Sequence, residues 1–226
     1  MGLFYKDIGK YKNMSNEETI VDDGPLSKEY WKEENKIKVL HLLKEPTENK
    51  YGSIPDLVEK DGIRIFRSKS KLFRISAIRS YCIQKNCPQW SEIKVLDKQI
   101  LLCALKKSAI VNLSQICINA QRTPPGKVFE FAQNNYDRWF GKLEKCKPNI
   151  VICGGTFDAV LKPLKIKDED IKYTSTGMRC FKTIGALFLD CYHPSSYKCK
   201  ECMEYTYFAE SIADLFEQEK EFLGVI

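Results

Sequence analysis

Apolar residues along this chain fall into two kinds of run. Short, nearly unbroken stretches at 37–43, 109–113, 149–153 and 186–191 read as strands buried on both faces. Between them apolar positions recur every three or four residues, the period of an amphipathic helix. Helices are expected over 71–85 and over 92–107, the latter with Ile93, Leu96, Ile100 and Ala104 in phase. A further helix opens at Thr123-Pro124-Pro125-Gly126 and carries a stripe of Val128, Ala132, Tyr136, Trp139, Phe140 and Leu143. Another starts after Gly154-Gly155-Thr156, and a final one presents Tyr205, Phe208, Ile212, Leu215 and Phe216 on one face. Strand alternating with helix predicts an α/β fold: a single domain with a four-stranded, mostly parallel sheet and helices on both faces. Residues 36–226 are assigned to that domain. Residues 1–35 read as a lead-in, polar and loosely attached over 1–24, then a short helix capped by Ser27 and running to Trp31. The stretch 44–70, with Gly52, Pro55 and Asp61-Gly62, reads as loop.

Composition changes this picture little. The 226 residues suffice for one such domain. Lys and Arg number 36 against 30 Asp and Glu, a net charge of +6 that suits a polyanionic partner without demanding one. No apolar run is long enough to span a bilayer, and residues 1–13 lack the apolar core of a signal peptide. The expectation is a cytoplasmic protein with no membrane partner. The ten Cys are read as free thiols, as expected in a reducing compartment. Where they fall inside apolar runs, as Cys103 and Cys153 do, they act as small hydrophobes. Cys199 and Cys202 have metal-knuckle spacing, but Cys82 and Cys87 make a poor second pair, so no metal is expected.

Chemistry is sought where parallel sheets place it, beyond the carboxyl ends of the strands. Lys44-Glu45-Pro46-Thr47 follows the first strand and Asn112 stands at the end of the second. Gly154-Gly155-Thr156 follows the third, and His193-Pro194-Ser195-Ser196 the last. Taken singly, Glu45 reads as a solvated loop residue, Asn112 as a turn residue and the glycine pair as a tight turn. His193 stands apart as one of only two His; the other, His41, lies inside a strand and reads as structural.

As a set, these residues resemble the uracil-DNA glycosylase superfamily. Its first motif, Gly-x-Asp/Asn/Ala-Pro after the first strand, aligns with Leu43-Lys44-Glu45-Pro46. Its strand-borne Asn aligns with Ile110-Val111-Asn112, and its His-Pro-Ser after the last strand with His193-Pro194-Ser195. The resemblance covers roughly residues 36–220. It departs at Leu43 for Gly, Glu45 for Asp, and Thr47 for the Tyr that narrows the pocket in the uracil-specific branch. A base larger than uracil is therefore expected to fit.

The resemblance implies a monomeric DNA glycosylase that binds DNA and uses no cofactor, although some relatives hold an iron–sulfur cluster. Glu45 would oppose the cationic sugar and orient water, and His193 would stabilise the departing base. Asn112 would read the base edge, with Lys44, Pro46 and Thr47 beside it and Tyr51 or Phe66 stacking on the flipped base. Backbone N–H groups of Gly154, Gly155, Thr156, Ser195 and Ser196, at expected helix starts, would meet phosphate. Pro194 and Tyr197 would complete the DNA contact, Tyr197 as the wedge that relatives insert into the base stack. One rival is the same fold with catalysis weakened, a module that binds damaged or modified DNA. Another, an unrelated nucleotide-binding or hydrolytic α/β enzyme, lacks any GxGxxG, Walker or GxSxG pattern in this chain.

Overall fold

A computed structural model of the protein describes residues 20–32, 37–46, 51–67, 71–117, 123–196 and 201–219. Thr47, Tyr197 and Cys199 lie outside the described residues. The strands are β1 (Gly24–Pro25), β2 (Val39–Leu43), β3 (Ser108–Asn112), β4 (Ile150–Gly154), β5 (Lys172–Tyr173), β6 (Arg179–Thr183) and β7 (Ala186–Cys191). The helices are α1 (Lys28–Lys32), α2 (Ile54–Asp61), α3 (Leu72–Gln84), α4 (Trp90–Ile93), α5 (Lys98–Lys106), α6 (Pro125–Asn134), α7 (Tyr136–Cys146), α8 (Phe157–Leu161) and α9 (Glu201–Gln218).

All strands join one mixed sheet in the order β1-β3-β2-β4-β7-β6-β5. The four strands legible in the sequence, β2, β3, β4 and β7, are its parallel centre. Among the described residues the expected four-stranded sheet is corrected to seven strands, because short antiparallel strands extend both edges. Two residues of β1 and two of β5 carry no readable alternation. The hairpin between β6 and β7 turns at Ile184-Gly185, both with positive φ, as a tight two-residue connection requires.

Side-chain alternation divides the core in two. Val39 and Leu43 of β2, Ile110 of β3 and Ile150 and Ile152 of β4 meet α2, α3, α5 and α9. Leu40 and Leu42, Val111, and Val151 and Cys153 point the other way, onto α6, α7 and α8 around buried Trp139. Helices thus cover both faces, as the unbroken apolar strands required. The expected helix over 92–107 is two, because Asp97 turns outward and its side chain caps the Gln99 N–H at 2.6 Å. That break shifts the phase: Ile100 is exposed, and α5 buries Leu101, Leu102, Ala104 and Leu105 instead. Cys103 is likewise exposed, not part of the core. Within the expected loop 44–70, Ser53 caps α2 by accepting from the Asp56 N–H.

The lead-in is also corrected over its described part. Val21 is fully buried, Gly24 and Pro25 pair with β3, and the Val21 N–H donates to the Gln115 carbonyl. Ser27 does cap α1, accepting from the Tyr30 N–H at 3.3 Å, and Trp31 donates to the Cys146 carbonyl at 2.7 Å. This segment is a sheet edge tied to the domain. Val21→Ala is therefore expected to cost about 1.5–3 kcal/mol of stability in urea unfolding. A cost within about 0.5 kcal/mol, the range of ordinary surface substitutions, would return the segment to a loose lead-in.

Candidate functional site

In chain order the parallel strands run β2, β3, β4, β7, but in space β3 lies on one side of β2 and β4 on the other. The connections therefore diverge between β2 and β4, the place where an open parallel sheet leaves a crevice at its carboxyl edge. Lys44-Glu45 leaves β2 and Gly154-Gly155 leaves β4 at that point.

The glycine pair decides how closely the exits approach. A Cβ on Gly154 would stand 2.6 Å from Leu43 Cδ2 and 3.2 Å from Pro194 Cδ. A Cβ on Gly155 would stand 3.2 Å from Lys44 Cε and 3.5 Å from His193 Cβ, and its φ of +69° already favours glycine. Lys44 and His193 thus flank Gly155, across the end of β4.

His193 is half-buried and its Nδ1 accepts the Ser195 N–H at 3.2 Å, while its carbonyl accepts the Ser196 N–H at 2.8 Å. An Nδ1 that accepts places the ring proton on Nε2. Burial, with Lys44 and Arg79 nearby, lowers the imidazole pKa from its usual 6.5 to about 4. His193 is a neutral ring with one N–H to donate. His41 is fully buried, bonded to Ser80 Oγ at 2.8 Å and held down to about pKa 3, a structural His.

Glu45 is half-buried on the exit of β2. The ladder between β2 and β3 continues past the strands, with Leu113 N–H on the Leu43 carbonyl and Ser114 N–H on the Lys44 carbonyl. Glu45 then takes the Thr123 hydroxyl on Oε1, while its Oε2 is buried and without a partner among the described residues. Pro46, next in the chain, is buried. Asn112, 1% exposed, is gripped by Asp23.

Two groups of expected contacts are corrected. The Gly155 N–H is already donated to the Cys153 and Cys191 carbonyls, and the buried Thr156 hydroxyl to the Leu42 carbonyl at 2.8 Å. Ser195 and Ser196 lie in a turn before α9, with their N–H groups spent on His193. The glycine pair therefore makes room for its neighbours, and the N–H groups of Gly155, Ser195 and Ser196 are already donated inside the protein. Tyr51 donates to Asp61 at 2.8 Å with Lys60 over its ring, so one stacking face is covered. Phe66 packs against the core on the α2 face.

Several residues escaped sequence reasoning. Asp23 and Thr123 hold Asn112 and Glu45. Tyr192, 54% exposed, stands beside His193. Arg79, fully buried on α3, pairs with Glu204 of α9 through Nε at 2.8 Å and donates through Nη2 to the Tyr192 carbonyl at 2.9 Å. A strut from two helices thus fixes the residue before His193. A signal existed: an Arg standing in the apolar run from Ile75 to Ile83. Among the described residues no group of three or more His, Cys, Asp or Glu is placed to hold a metal ion. Cys82 and Cys87 approach to 2.6 Å between sulfurs beside Tyr205.

No protein-family model matches the chain, and no curated protein matches it.

Removing Arg79 strands a buried carboxylate. Arg79→Met is expected to cost about 3–5 kcal/mol in denaturant unfolding, and adding Glu204→Met to restore much of it. If the double variant is as damaged as the single one, the pair is not an isolated ionic strut. Both His also bind a proton less readily folded than unfolded, since their pKa values fall from 6.5 to about 3 and about 4. Folding is then favoured above pH 6.5 and loses stability as the pH falls from 6.5 toward 4. His193→Gln should flatten part of that slope, leaving the His41 share. An unchanged slope would mean that His193 titrates alike in both states.

Proposed function

We propose that this protein is a DNA glycosylase, hydrolysing the N-glycosidic bond of a flipped-out uracil-like, deaminated or modified base. The observation that carries the reading is a pairing of unlike groups at one sheet edge. Glu45 offers a carboxylate with one oxygen held and the other buried and without a partner among the described residues. His193 offers a neutral imidazole with its donor on Nε2. That division suits a reaction through a cationic sugar and an anionic leaving base.

In this mechanism Thr123 fixes the Glu45 carboxylate, which stabilises the oxocarbenium charge and orients the attacking water. His193 donates Nε2–H to the base oxygen as negative charge develops there, and being neutral it gives up no proton to solvent first. Lys44, beside His193, adds positive potential for the same anion. Asn112 reads the base edge. Tyr192 supplies an exposed aromatic at the turn where the helix is entered, and the net charge of +6 favours the polyanion. Thr47 standing where the resemblance has Tyr makes a base larger than uracil the expected substrate.

Glu45→Gln is expected to keep DNA affinity and to slow single-turnover base release by about 10²–10⁴-fold. His193→Ala should slow it by about 10²–10³-fold. In the wild type no kinetic pKa from His193 should appear between pH 5 and 8, because its imidazole titrates near 4. Duplexes holding uracil, hypoxanthine and 5-substituted pyrimidines, with released bases identified by mass spectrometry, provide the assay. Tight binding with no release from any of them would make the protein a recognition module instead.

A further inference from the structure

We propose that Cys82 and Cys87 form a dithiol site that small hydroperoxides oxidise to a disulfide, fastening the carboxyl end of α3, and that small thiols reopen. The inference is independent of the glycosylase reading.

The pairing follows from how α3 stops. Its last helical residue is Gln84, and Pro88 cannot continue a helix. Between them Asn86 takes the left-handed conformation, φ +54°, which Asn accepts more readily than most side chains. The chain folds back, and the Cys87 N–H donates to the Cys82 carbonyl at 2.7 Å. A helix end closed in this way sets the side chains of those two residues against each other, a place generally held by an apolar pair. Here both are Cys. The Cys82 thiol donates to Cys87 Sγ, with 2.6 Å between the sulfurs. Joining them asks for no movement of the backbone.

The two thiols have different parts to play. Cys82 is fully buried, and burial with Cys87 beside it raises its pKa, so it stays protonated. Cys87 is half-buried and is the sulfur a reagent can reach. Having given its proton to water, Cys87 attacks one oxygen of the hydroperoxide. The O–O bond breaks, and the other oxygen takes a proton from solvent and leaves as an alcohol, or as water from hydrogen peroxide. Cys87 is then a sulfenic acid. Cys82 attacks that sulfur, the S–S bond forms, and hydroxide leaves with the Cys82 proton as water. Two electrons have passed from the sulfurs to the peroxide. In the reverse direction one small thiol opens the bridge at Cys87 and a second releases Cys87, leaving the disulfide of the small thiol.

The bridge closes a turn on which α9 rests. The Tyr205 hydroxyl donates to the Pro88 carbonyl, and the Tyr205 ring centre lies 5.6 Å from that of Trp90. Glu204, the preceding residue, pairs with Arg79, one turn before Cys82. Oxidation therefore fastens the end of the helix whose Arg79 holds the Tyr192 carbonyl.

Trypsin supplies the test, because Lys85 stands between the two Cys. The full chain, reduced and then freed of reductant, is treated with hydrogen peroxide, alkylated and digested. Residues 80–85 and 86–94 should appear as one linked peptide that dithiothreitol splits. In Cys82→Ala the thiol that resolves the sulfenic acid is gone, so dimedone should trap Cys87 about tenfold or more above the wild type. The urea midpoint should rise on oxidation of the wild type and stay unmoved in Cys87→Ser. Peptides that remain separate overturn the proposal, as does a bridge from Cys87 to any other Cys. Stoichiometric iron or zinc in the pure protein, lost together with protection of both thiols, overturns it by making the pair a metal site. A bridged protein with an unchanged midpoint overturns the fastening.

Discussion

At the end of β4 there is no room for side chains, and much of the site depends on that. Leu43 lies against Gly154 from one side and Pro194 from the other, while Lys44 and His193 close on Gly155. Overpacking such a contact forces rotamers and backbone apart. With any larger residue there, the exits of β2 and β7 would be held apart, although neither strand pairs with the other directly. The glycine pair is thus a spacer of minimum size between the carboxylate-bearing and imidazole-bearing segments. The Gly155 N–H is spent on the Cys153 and Cys191 carbonyls.

Close approach also sets the electrostatics. Lys44 and Arg79 place positive charge around a half-buried imidazole, and both act with burial to keep His193 neutral. Arg79 carries its compensating charge in Glu204, so the strut that holds the Tyr192 carbonyl adds little net charge to the interior. On the other side of the sheet switch, Asp23 sits between Arg138 and Lys142 and meets Asn112. Asn112 is backed by buried Asp23 and Glu45 by buried Thr123, each of which holds its partner in place.

The same arrangement explains why the segment before α1 belongs to the domain. Its apolar contribution, Val21, would be modest alone. Its backbone pairs with β3, Asp22 bonds to Gly52 and Ile54 at the start of α2, and Asp23 reaches Asn112. One short stretch therefore joins the sheet edge, α2 and the candidate base-reading amide.

The sequence by itself determined the central strands, their burial on both faces, and the residues that leave their carboxyl ends. Those are local properties: an unbroken apolar run must be covered twice, and the residues leaving a set of parallel strands must all emerge at one edge. Glu45, Asn112 and His193 were legible for that reason. The edge strands β1 and β5 were not, since two residues carry no period. The phase of α5 was misread because a single Asp97 cap outweighs a continuous apolar pattern. Only the tertiary structure decided which partners orient the chemistry. Asp23 meets Asn112 across 89 residues and Arg79 meets Glu204 across 125. A charged residue in the sequence announces that it needs a partner if buried, but the choice of partner depends on which elements the sheet brings side by side.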